Sequence, residues 1–411
     1  MGVKVVHFSR TQLAGAPVRL VQALQRHTGC SVRLVDLKRW GTFDHDVVLA
    51  EDPHLAVELA EKADIIHLHN HLDLNSRCFA PIDFHSLKRR GKLFVRHFHS
   101  TPMLVAQVMG ISVPEVLNDS IPSIVIAQYP ERFYPKARVV PNIVPQDNPD
   151  YLPTPMPESF SIVFSPTWGG SAWSSRWDTK GAPEVLRLLS QVARRTGCVI
   201  RYVTGQPLKR VLEEKRNGSV VIDDLITGSY HLSGLEGLCL GRPVLGFLDA
   251  RVQVVLREIS ESRTCPFVNV RLEDALEVLT HLSQHPADAA EVGQAGRQWI
   301  ANHWTDRVLV RHFVDVYEKL MLDPATVSRQ ESLRLDNGPT RFHAVILPDL
   351  VYASRARSYR SGMPLFARVR QAVTGGWTAL RGRALRSMES GRFSAVRRAL
   401  APATGPRRGR R

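Results

Sequence analysis

Short apolar runs rich in β-branched residues alternate with segments of helical hydrophobic spacing along most of the chain. The runs that predict buried strands are VKVVHF near the start, SVRLVDL from Ser31, ADIIHLHN from Ala63, KLFVRHFHS from Lys92, SIVIAQY from Ser123 and ARVVPNIV from Ala137. Between the first two, PVRLVQALQRH (Pro17 to His27) has helical spacing, with a proline in its first turn and Gly29 beyond its end. This strand, helix, strand order predicts a parallel sheet.

A proline-rich stretch interrupts the pattern before it restarts. New strand patterns begin at Phe160, Cys198, Ser219 and Pro243, and helical patterns cover 183–195, 232–240, 272–284, 287–303 and 305–322, the last with a stripe of Val308, Phe313, Val316 and Leu320. We therefore predict two doubly wound, Rossmann-like α/β domains, at 1–145 and 160–323, joined by a linker at 146–159 and followed by a tail at 324–411. Ligands of open parallel sheets bind at the carboxyl ends of the strands, so the cleft between the domains is the expected site.

The charge is concentrated at one end of the 411 residues. The whole chain carries +15, whereas Val351 to Arg411 alone contains fifteen arginines, no lysine and one acid, Glu389, which leaves about neutral charge for the rest. No run approaches the roughly 18 apolar residues of a membrane-spanning helix, and MGVKVVHFSR lacks the apolar core of a signal peptide. We expect a cytoplasmic protein.

Cysteine and histidine spacing gives little support for a metal site. The five cysteines form no C-x-x-C pair and are expected to be reduced thiols. His67, His69 and His71 alternate in IIHLHNH and would share one face of a strand, but no carboxylate or cysteine framework accompanies them. We expect no metal and no bound cofactor.

Two loops carry candidate binding chemistry. Gly15-Ala16-Pro17 lies between the first strand and the first helix, where small residues let a ligand approach backbone amides, although a simple tight turn explains it equally well. No G-x-G-x-x-G or Walker sequence is present, which disfavours dinucleotide enzymes and P-loop NTPases. The second loop, GSYHLSGLEGLCLGRPVLGFLD from Gly228 to Asp249, places Glu236 on a short helix, and a carboxylate there suits a diol such as ribose.

This second segment resembles the retaining GT-B glycosyltransferases of the group 1, or family 4-like, type. Their donor domain carries a glutamate, seven residues, a second glutamate and then EAMAxGxPV, and E-G-L-C-L-G-R-P-V matches from Glu236 to Val244. Further pieces follow in the same order. KGAPEVL from Lys180 resembles the KG-plus-helix motif, VPNIV from Val140 the crossover segment, His99 the histidine that ends a first-domain strand, and HWTDRVLVRHFVDVYEKLM from His303 the closing helix. The resemblance spans about residues 1 to 323.

The resemblance implies transfer of a sugar from a nucleotide-activated donor to an acceptor, with retention and without metal. It implies that Lys180 binds the diphosphate and Glu236 the ribose, while His99 contacts the donor sugar or orients the acceptor. The backbone of Ser233, Gly234 and Leu235 would face phosphate, and Gly15 and Ala16 are further donor-binding candidates. A surface lysine at Lys180 and a core histidine at His99 remain alternative interpretations.

Two departures from the family pattern concern the donor site. Gly228 stands where the family has its first glutamate, and the G-R-L triplet before the KG lysine is replaced by SPTWGGSAWSSRWDTKG. Arg176 is a candidate for the lost arginine, and Asp223 or Asp224 for the lost carboxylate.

The hydrophobic spacing of the tail predicts an interfacial helix. Apolar residues recur at Leu365, Val369, Val373, Trp377, Leu380, Ala384 and Met388, with arginines among them and Gly375-Gly376 as an interruption. An anionic membrane surface is the favoured partner, ahead of a disordered arm and of a nucleic-acid-binding arm. The acceptor would be a carbohydrate, a lipid-linked group or a small molecule.

Two other functions stay open on the sequence. A sugar-nucleotide epimerase or phosphorylase also uses two facing domains. A non-catalytic scaffold with a degenerate donor pocket and a nucleic-acid-binding tail would explain the missing first glutamate.

Overall fold

The computed structural model describes residues 2–167, 169–173, 179–328, 330, 333, 335 and 337–361. Its first sheet contains seven parallel strands: β1 (Lys4–Ser9), β2 (Ser31–Asp36), β3 (Val47–Val48), β4 (Ile65–His69), β5 (Leu93–Phe98), β6 (Ser123–Ile126) and β7 (Arg138–Val140). Their order is β3-β2-β1-β4-β5-β6-β7, and the register places His7 beside His67 and His69 beside His97. The order reverses next to β1, which makes the carboxyl edge of β1 and β4 a topological switch point.

Five helices accompany the first sheet: α1 (Ala16–His27), α2 (Pro53–Lys62), α3 (Phe84–Arg89), α4 (Pro102–Met109) and α5 (Val113–Leu117). The first follows the predicted helix closely, with Pro17 in its first turn and its end at His27. The hydrophobic spacing does not predict the other four, because they span only five to ten residues each. Each of these four begins at a side-chain cap, from Asp52, Asp83, Thr101 or Ser112.

The second sheet contains five parallel strands: β8 (Ser161–Phe164), β9 (Val199–Tyr202), β10 (Val220–Ile222), β11 (Val244–Gly246) and β12 (Val268–Asn269), in the order β12-β11-β10-β8-β9. Its helices are α6 (Ala182–Thr196), α7 (Leu208–Arg216), α8 (Leu232–Cys239), α9 (Ala250–Ser260), α10 (Ala275–Gln284) and α11 (Pro286–His303). The predicted pair of doubly wound parallel sheets is confirmed.

Helix α12 (Asp306–Leu322) returns to the first sheet and packs against α1 and β5. Thr305 caps its start, and its buried face includes Phe313, Val316 and Leu320, as the predicted stripe requires. Val308 is an exception, because it is exposed and the apolar face begins one residue later, at Leu309.

Beyond α12 the described chain forms α13 (Gly338–Arg341), a π-helical segment (Phe342–Ile346) and α14 (Leu347–Ser361). The predicted tail helix around Leu365 to Met388 lies outside the described residues, as does Arg176. All five cysteines are free. Within the described ranges, every helix is too short or too polar to cross a bilayer.

Candidate functional site

Lys180 lies at the carboxyl edge of the second sheet. It directly precedes Gly181, the N-cap of α6, and its Nζ is 2.6 Å from Oδ1 of Asp223, the first residue after β10. The other carboxylate oxygen of Asp223 accepts a hydrogen bond from the amide of His231 at 2.7 Å. Both Lys180 and Asp223 are buried, so the lysine is an internal ion-pair partner and not a surface residue.

The two aspartates proposed as substitutes for the missing glutamate have different environments. Asp224 accepts hydrogen bonds from the amides of Ile226 and Thr227 at 2.8 and 3.0 Å, which fixes the turn that follows β10. Asp223 instead contacts Lys180, the predicted diphosphate ligand. The geometry therefore favours Asp223 over Asp224 as the carboxylate with a role in binding.

Glu236 forms a buried ion triad that joins the two halves of the molecule. Its Oε1 is 2.6 Å from Nη2 of Arg19 on α1, and its Oε2 is 2.6 Å from Nζ of Lys215 on α7. Side chains of Arg19, Lys215 and Glu236 are each at most 6% exposed. Both carboxylate oxygens thus have cationic partners, although each retains a lone pair for a hydroxyl donor.

The charges of this triad determine its protonation. Burial alone raises the pKa of Glu236, but the Lys215 ammonium and the Arg19 guanidinium outweigh it and lower that pKa to about 2. Burial lowers the pKa of Lys215, an effect that Glu236 opposes. Glu236 is therefore a carboxylate throughout the neutral pH range.

The first turn of α8 places Ser233, Gly234 and Leu235 beside this triad. Lys215 donates to the carbonyl and hydroxyl of Ser233 at 3.0 and 2.9 Å. The amides of Gly234 and Leu235 donate to the carbonyl of His231, whereas the amides of the first two residues, Leu232 and Ser233, have no partner within the helix. An anion at this end of α8 would meet the amides of Leu232 and Ser233 first.

Gly15 and Ala16 form the start of α1. Gly15 is the N-cap with φ of +78°, a conformation that favours glycine, and Ala16 is the first helical residue. A Cβ at Gly15 would lie 2.5 Å from the Phe43 ring, and the Arg19 guanidinium is 6.0 Å from the centre of the same ring. The space left by the glycine is therefore occupied by Phe43.

His99 follows β5 and is buried in a set of imidazoles. Its amide donates to Oδ1 of Asn70 at 3.0 Å, and its Nε2 is 3.0 Å from Nδ1 of His69. With His7, His67 and His97 on the same sheet face, these two residues make up what we call the histidine cluster. His71, predicted on the same face, is not a member, because β4 ends at His69 and Asn70 has φ of +50°. Nε2 of His71 is instead 3.0 Å from Nδ2 of the Asn70 side chain.

Hydrogen bonds run through the histidine cluster in one chain. The Tyr317 hydroxyl of α12 lies 3.0 Å from Nδ1 of His67 and 3.1 Å from Nε2 of His7. His7 Nδ1 is 3.0 Å from Nε2 of His69, which in turn contacts His99. Phe313, also on α12, packs against His97. The cluster thus lies between the carboxyl half of the first sheet and the returning helix.

Burial lowers the pKa of every member of the histidine cluster, to about 3 for His7 and His99. Neutral imidazoles are also competent metal ligands, and two trios, His7 with His67 and His69, and His69 with His97 and His99, bring nitrogens within 4.8 Å of one another. Neither trio includes a carboxylate, and the hydrogen bonds already engage His7, His69 and His99. The absence of a metal from the function stays a prediction.

Comparison with known proteins identifies the architecture. No protein-family model matches the chain, and no curated protein does. Among solved structures, an α-glucosyltransferase in complex with UDP and a 13-mer DNA aligns with a TM-score of 0.53 at 10% identity, over 78% of this chain and 100% of that one. HepE from Anabaena, in complex with UDP, aligns with a TM-score of 0.50 at 11% identity, over 78% of this chain and 100% of its own. Both are GT-B glycosyltransferases.

The protein has the GT-B fold. The UDP-glucose complex of HepE gives the same result, with a TM-score of 0.51 at 11% identity over 77% of this chain and 99% of that chain. At this identity the likeness establishes the fold alone. The family resemblance found in the sequence is thereby confirmed at the level of the fold.

Two residues of the candidate site, Arg19 and Lys215, have no recognisable sequence signal. Arg19 lies in the predicted first helix and Lys215 in α7, a helix that the sequence analysis does not predict, and only the folded chain brings them to Glu236. His97 had a sequence signal, because HFH at the end of β5 repeats the alternation of HLH in β4, and parallel strands in register align such residues. His7 lies in register beside His67 on the neighbouring strand β1.

Proposed function

We propose that this GT-B chain transfers a sugar from a nucleoside diphosphate sugar to an acceptor, with retention at the anomeric carbon and without a metal ion. The observation that carries the proposal is the pairing of Lys180 with Asp223, and of Glu236 with two cations, around the first turn of α8. That HepE and the α-glucosyltransferase are UDP complexes supports a nucleotide donor.

Lys180 is the proposed diphosphate ligand. Departure of a nucleoside diphosphate develops negative charge, and a preorganised ammonium stabilises it. Asp223 Oδ1 lies 2.6 Å from this ammonium, so a bound diphosphate would compete with Asp223 for Lys180. Lys215 and Arg19 add two further cations within the same buried region. Their presence supports the proposal that side chains offset the negative charge of the diphosphate.

Glu236 is the proposed ribose ligand. Arg19 and Lys215 each occupy one of its oxygens, and the remaining lone pairs suit the two hydroxyls of a ribose. The same cations keep Glu236 ionised, since they lower its pKa to about 2. An ionised carboxylate accepts stronger hydrogen bonds than a neutral one.

His99 is the proposed contact to the donor sugar or acceptor. Its ring is neutral because burial lowers its pKa to about 3, so it offers one N–H donor and one acceptor nitrogen. His69 engages Nε2, which fixes the ring and leaves Nδ1 for a hydroxyl. His99 would therefore orient a hydroxyl and would not supply an imidazolium charge.

A thermal-shift screen against UDP, GDP, ADP and their sugars tests the donor site. At a concentration of about 100 Kd, one bound nucleotide stabilises the folded chain by about 2.7 kcal/mol. We expect a shift with one nucleotide family that is reduced in Lys180→Met and Glu236→Gln but unchanged in Lys209→Met, an exposed lysine of α7. No shift with any nucleotide would contradict the proposed donor site.

Product analysis tests the reaction itself. With the nucleotide sugar found above, NMR of the product should show the anomeric configuration of the donor, and EDTA should leave the rate unchanged. Inversion of configuration would contradict retention, and loss of turnover with EDTA would contradict a metal-free reaction. Turnover of the sugar nucleotide without any acceptor would favour an epimerase.

A further inference from the structure

The C-terminal helical segment, which consists of the π-helical Phe342–Ile346 and α14, exposes large apolar side chains to solvent. Phe342, Ile346, Leu347, Leu350 and Val351 are between 39% and 58% exposed, and we call them the apolar face. Their spacing of four residues, from Phe342 to Ile346 to Leu350 and from Leu347 to Val351, aligns them along one side of the helix. A surface helix normally presents polar residues on the side that faces solvent.

The opposite side of the same segment is fixed to the protein body. Arg132 donates to the carbonyl of Ala344 at 3.0 Å, and the Tyr129 hydroxyl donates to Asp349 at 3.2 Å. Ala344 and Ala356 on this segment are buried. The helix is therefore held in one orientation, and this orientation exposes the apolar face.

Charge indicates what covers the apolar face. Arg341 and Arg357 are exposed beside it, and Val351 to Arg411 carries fifteen arginines against one glutamate, a net charge of +14. A second copy of the chain would bring the same positive charge to the contact and be repelled. Nucleic acid would attract the arginines, but its phosphate backbone offers no partner for five aliphatic and aromatic side chains.

We propose that the apolar face is a docking surface for an anionic lipid bilayer. The five apolar side chains enter the boundary between headgroups and acyl chains, and the arginines beside and beyond them bind lipid phosphates. A bilayer supplies both an apolar phase and negative charge at one surface, which matches both features of the segment. The proposal does not depend on the proposed sugar transfer, because vesicle binding requires no turnover.

Vesicle flotation with the full chain tests the docking surface. The probes are vesicles of phosphatidylcholine alone and vesicles with about one third phosphatidylglycerol. We expect binding to the anionic vesicles only, reduced at least tenfold in the double variant Leu347→Glu, Leu350→Glu. The matched control is Leu322→Glu, which changes an 87% exposed leucine at the end of α12 and should bind as the unmodified chain does.

Three results would overturn the proposal. The first is equal binding of the double variant and the control, because the tail charge alone would then account for vesicle binding. The second is failure of the full chain to float with anionic vesicles while it binds a DNA duplex, which would assign the segment to nucleic acid. The third is a dimer in gel filtration that the double variant dissociates, which would make the apolar face a contact between copies.

Discussion

At the residue scale, the candidate donor site depends on the missing side chain of Gly234. A Cβ built at this position would lie 2.5 Å from Oδ2 of Asp223 and 2.8 Å from the Phe267 ring. The glycine lets α8 approach the end of β10 closely enough for Asp223 to accept from the His231 amide while it pairs with Lys180. The ion pair between Lys180 and Asp223 therefore requires a residue without a side chain at position 234.

Gly234→Ala should displace Asp223 and destabilise the fold. Overpacking of a buried site costs about 1–3 kcal/mol of the free energy of unfolding, and the nucleotide-induced thermal shift should fall as Lys180 moves with its partner. Urea unfolding measures the first effect and the thermal shift the second. Gly29→Ala is the control, since no atom lies within 4 Å of a Cβ there. Equal stability of the two variants would contradict the packing requirement.

At the element scale, helix α12 completes the surroundings of the histidine cluster. Its Tyr317 hydroxyl is the link between His67 and His7, and the helix covers the histidine cluster from one side. The chain of hydrogen bonds from Tyr317 ends at His99, so the orientation of His99 depends on an element that follows the second sheet in sequence.

Tyr317→Phe should therefore destabilise the fold without creating a cavity. It removes one hydroxyl and leaves Nδ1 of His67 and Nε2 of His7 buried without that partner, which costs about 1–3 kcal/mol. The measurement is urea unfolding at pH 7.5, with Tyr202→Phe, at a 40% exposed tyrosine, as the control. A loss no greater than that of the control would show that the hydrogen-bond chain has no energetic role.

At the scale of the whole molecule, a buried charge pair joins the two sheets. Arg19 belongs to the first helix of the chain and Glu236 to α8, 217 residues later. Glu236 also pairs with Lys215, so removal of Arg19 leaves Glu236 with one cationic partner, whereas removal of Glu236 leaves two buried cations without a carboxylate.

A double-mutant cycle of Arg19→Met and Glu236→Gln should show strong coupling. We expect the larger single loss, about 3–5 kcal/mol, for Glu236→Gln, which leaves Arg19 and Lys215 without their carboxylate. The double variant should be clearly more stable than the sum of the two single losses predicts, because Arg19→Met removes one of the two cations that Glu236→Gln leaves unpaired. The control cycle uses Arg195 and Glu277, whose ion pair is 49% and 75% exposed and should couple by at most about 1 kcal/mol. Additive losses in the first cycle would contradict the role of the pair.

The histidine cluster should make the stability of the fold depend on pH, in the same direction as His71, His231 and His312, whose pKa values burial also lowers. Burial lowers the pKa of all five members, so each takes up a proton on unfolding below its ordinary pKa of about 6.5. Their contribution to the free energy of unfolding is complete above about pH 6.5. It is lost as the pH falls, at about 1.4 kcal/mol per histidine per pH unit. Glu236 does not contribute in this range, because its pKa of about 2 matters only below about pH 4.5.

Acid unfolding should therefore occur between about pH 6 and 4.5, given a typical stability of about 5–15 kcal/mol. Urea unfolding from pH 8 to pH 5.5 measures the number of protons taken up from the slope of stability against pH. His97→Phe should lower this slope by about one proton and leave the stability at pH 8 nearly unchanged, since both ring nitrogens of His97 are buried without hydrogen bonds among the described residues. A slope of zero above pH 5.5 would contradict this account.

The sequence by itself determined the fold class and the distribution of charge. Buried parallel strands need continuous apolar runs, and ten of the twelve described strands coincide with such runs, whereas β3 and β12 are only two residues long and carry no periodicity. Local composition likewise revealed the arginine-rich tail, because charge is a property of the chain and not of its fold.

Only the tertiary structure decided which side chains meet. Lys180 and Glu236 are visible as motif residues, but their partners Asp223, Arg19 and Lys215 come from other elements, and pairing across such distances leaves no spacing in the sequence. The outward direction of Leu350 also depends on which side of its helix the body holds. Hydrophobic periodicity specifies the elements, whereas contacts between elements depend on how their faces pack together, and no single stretch of sequence contains that information.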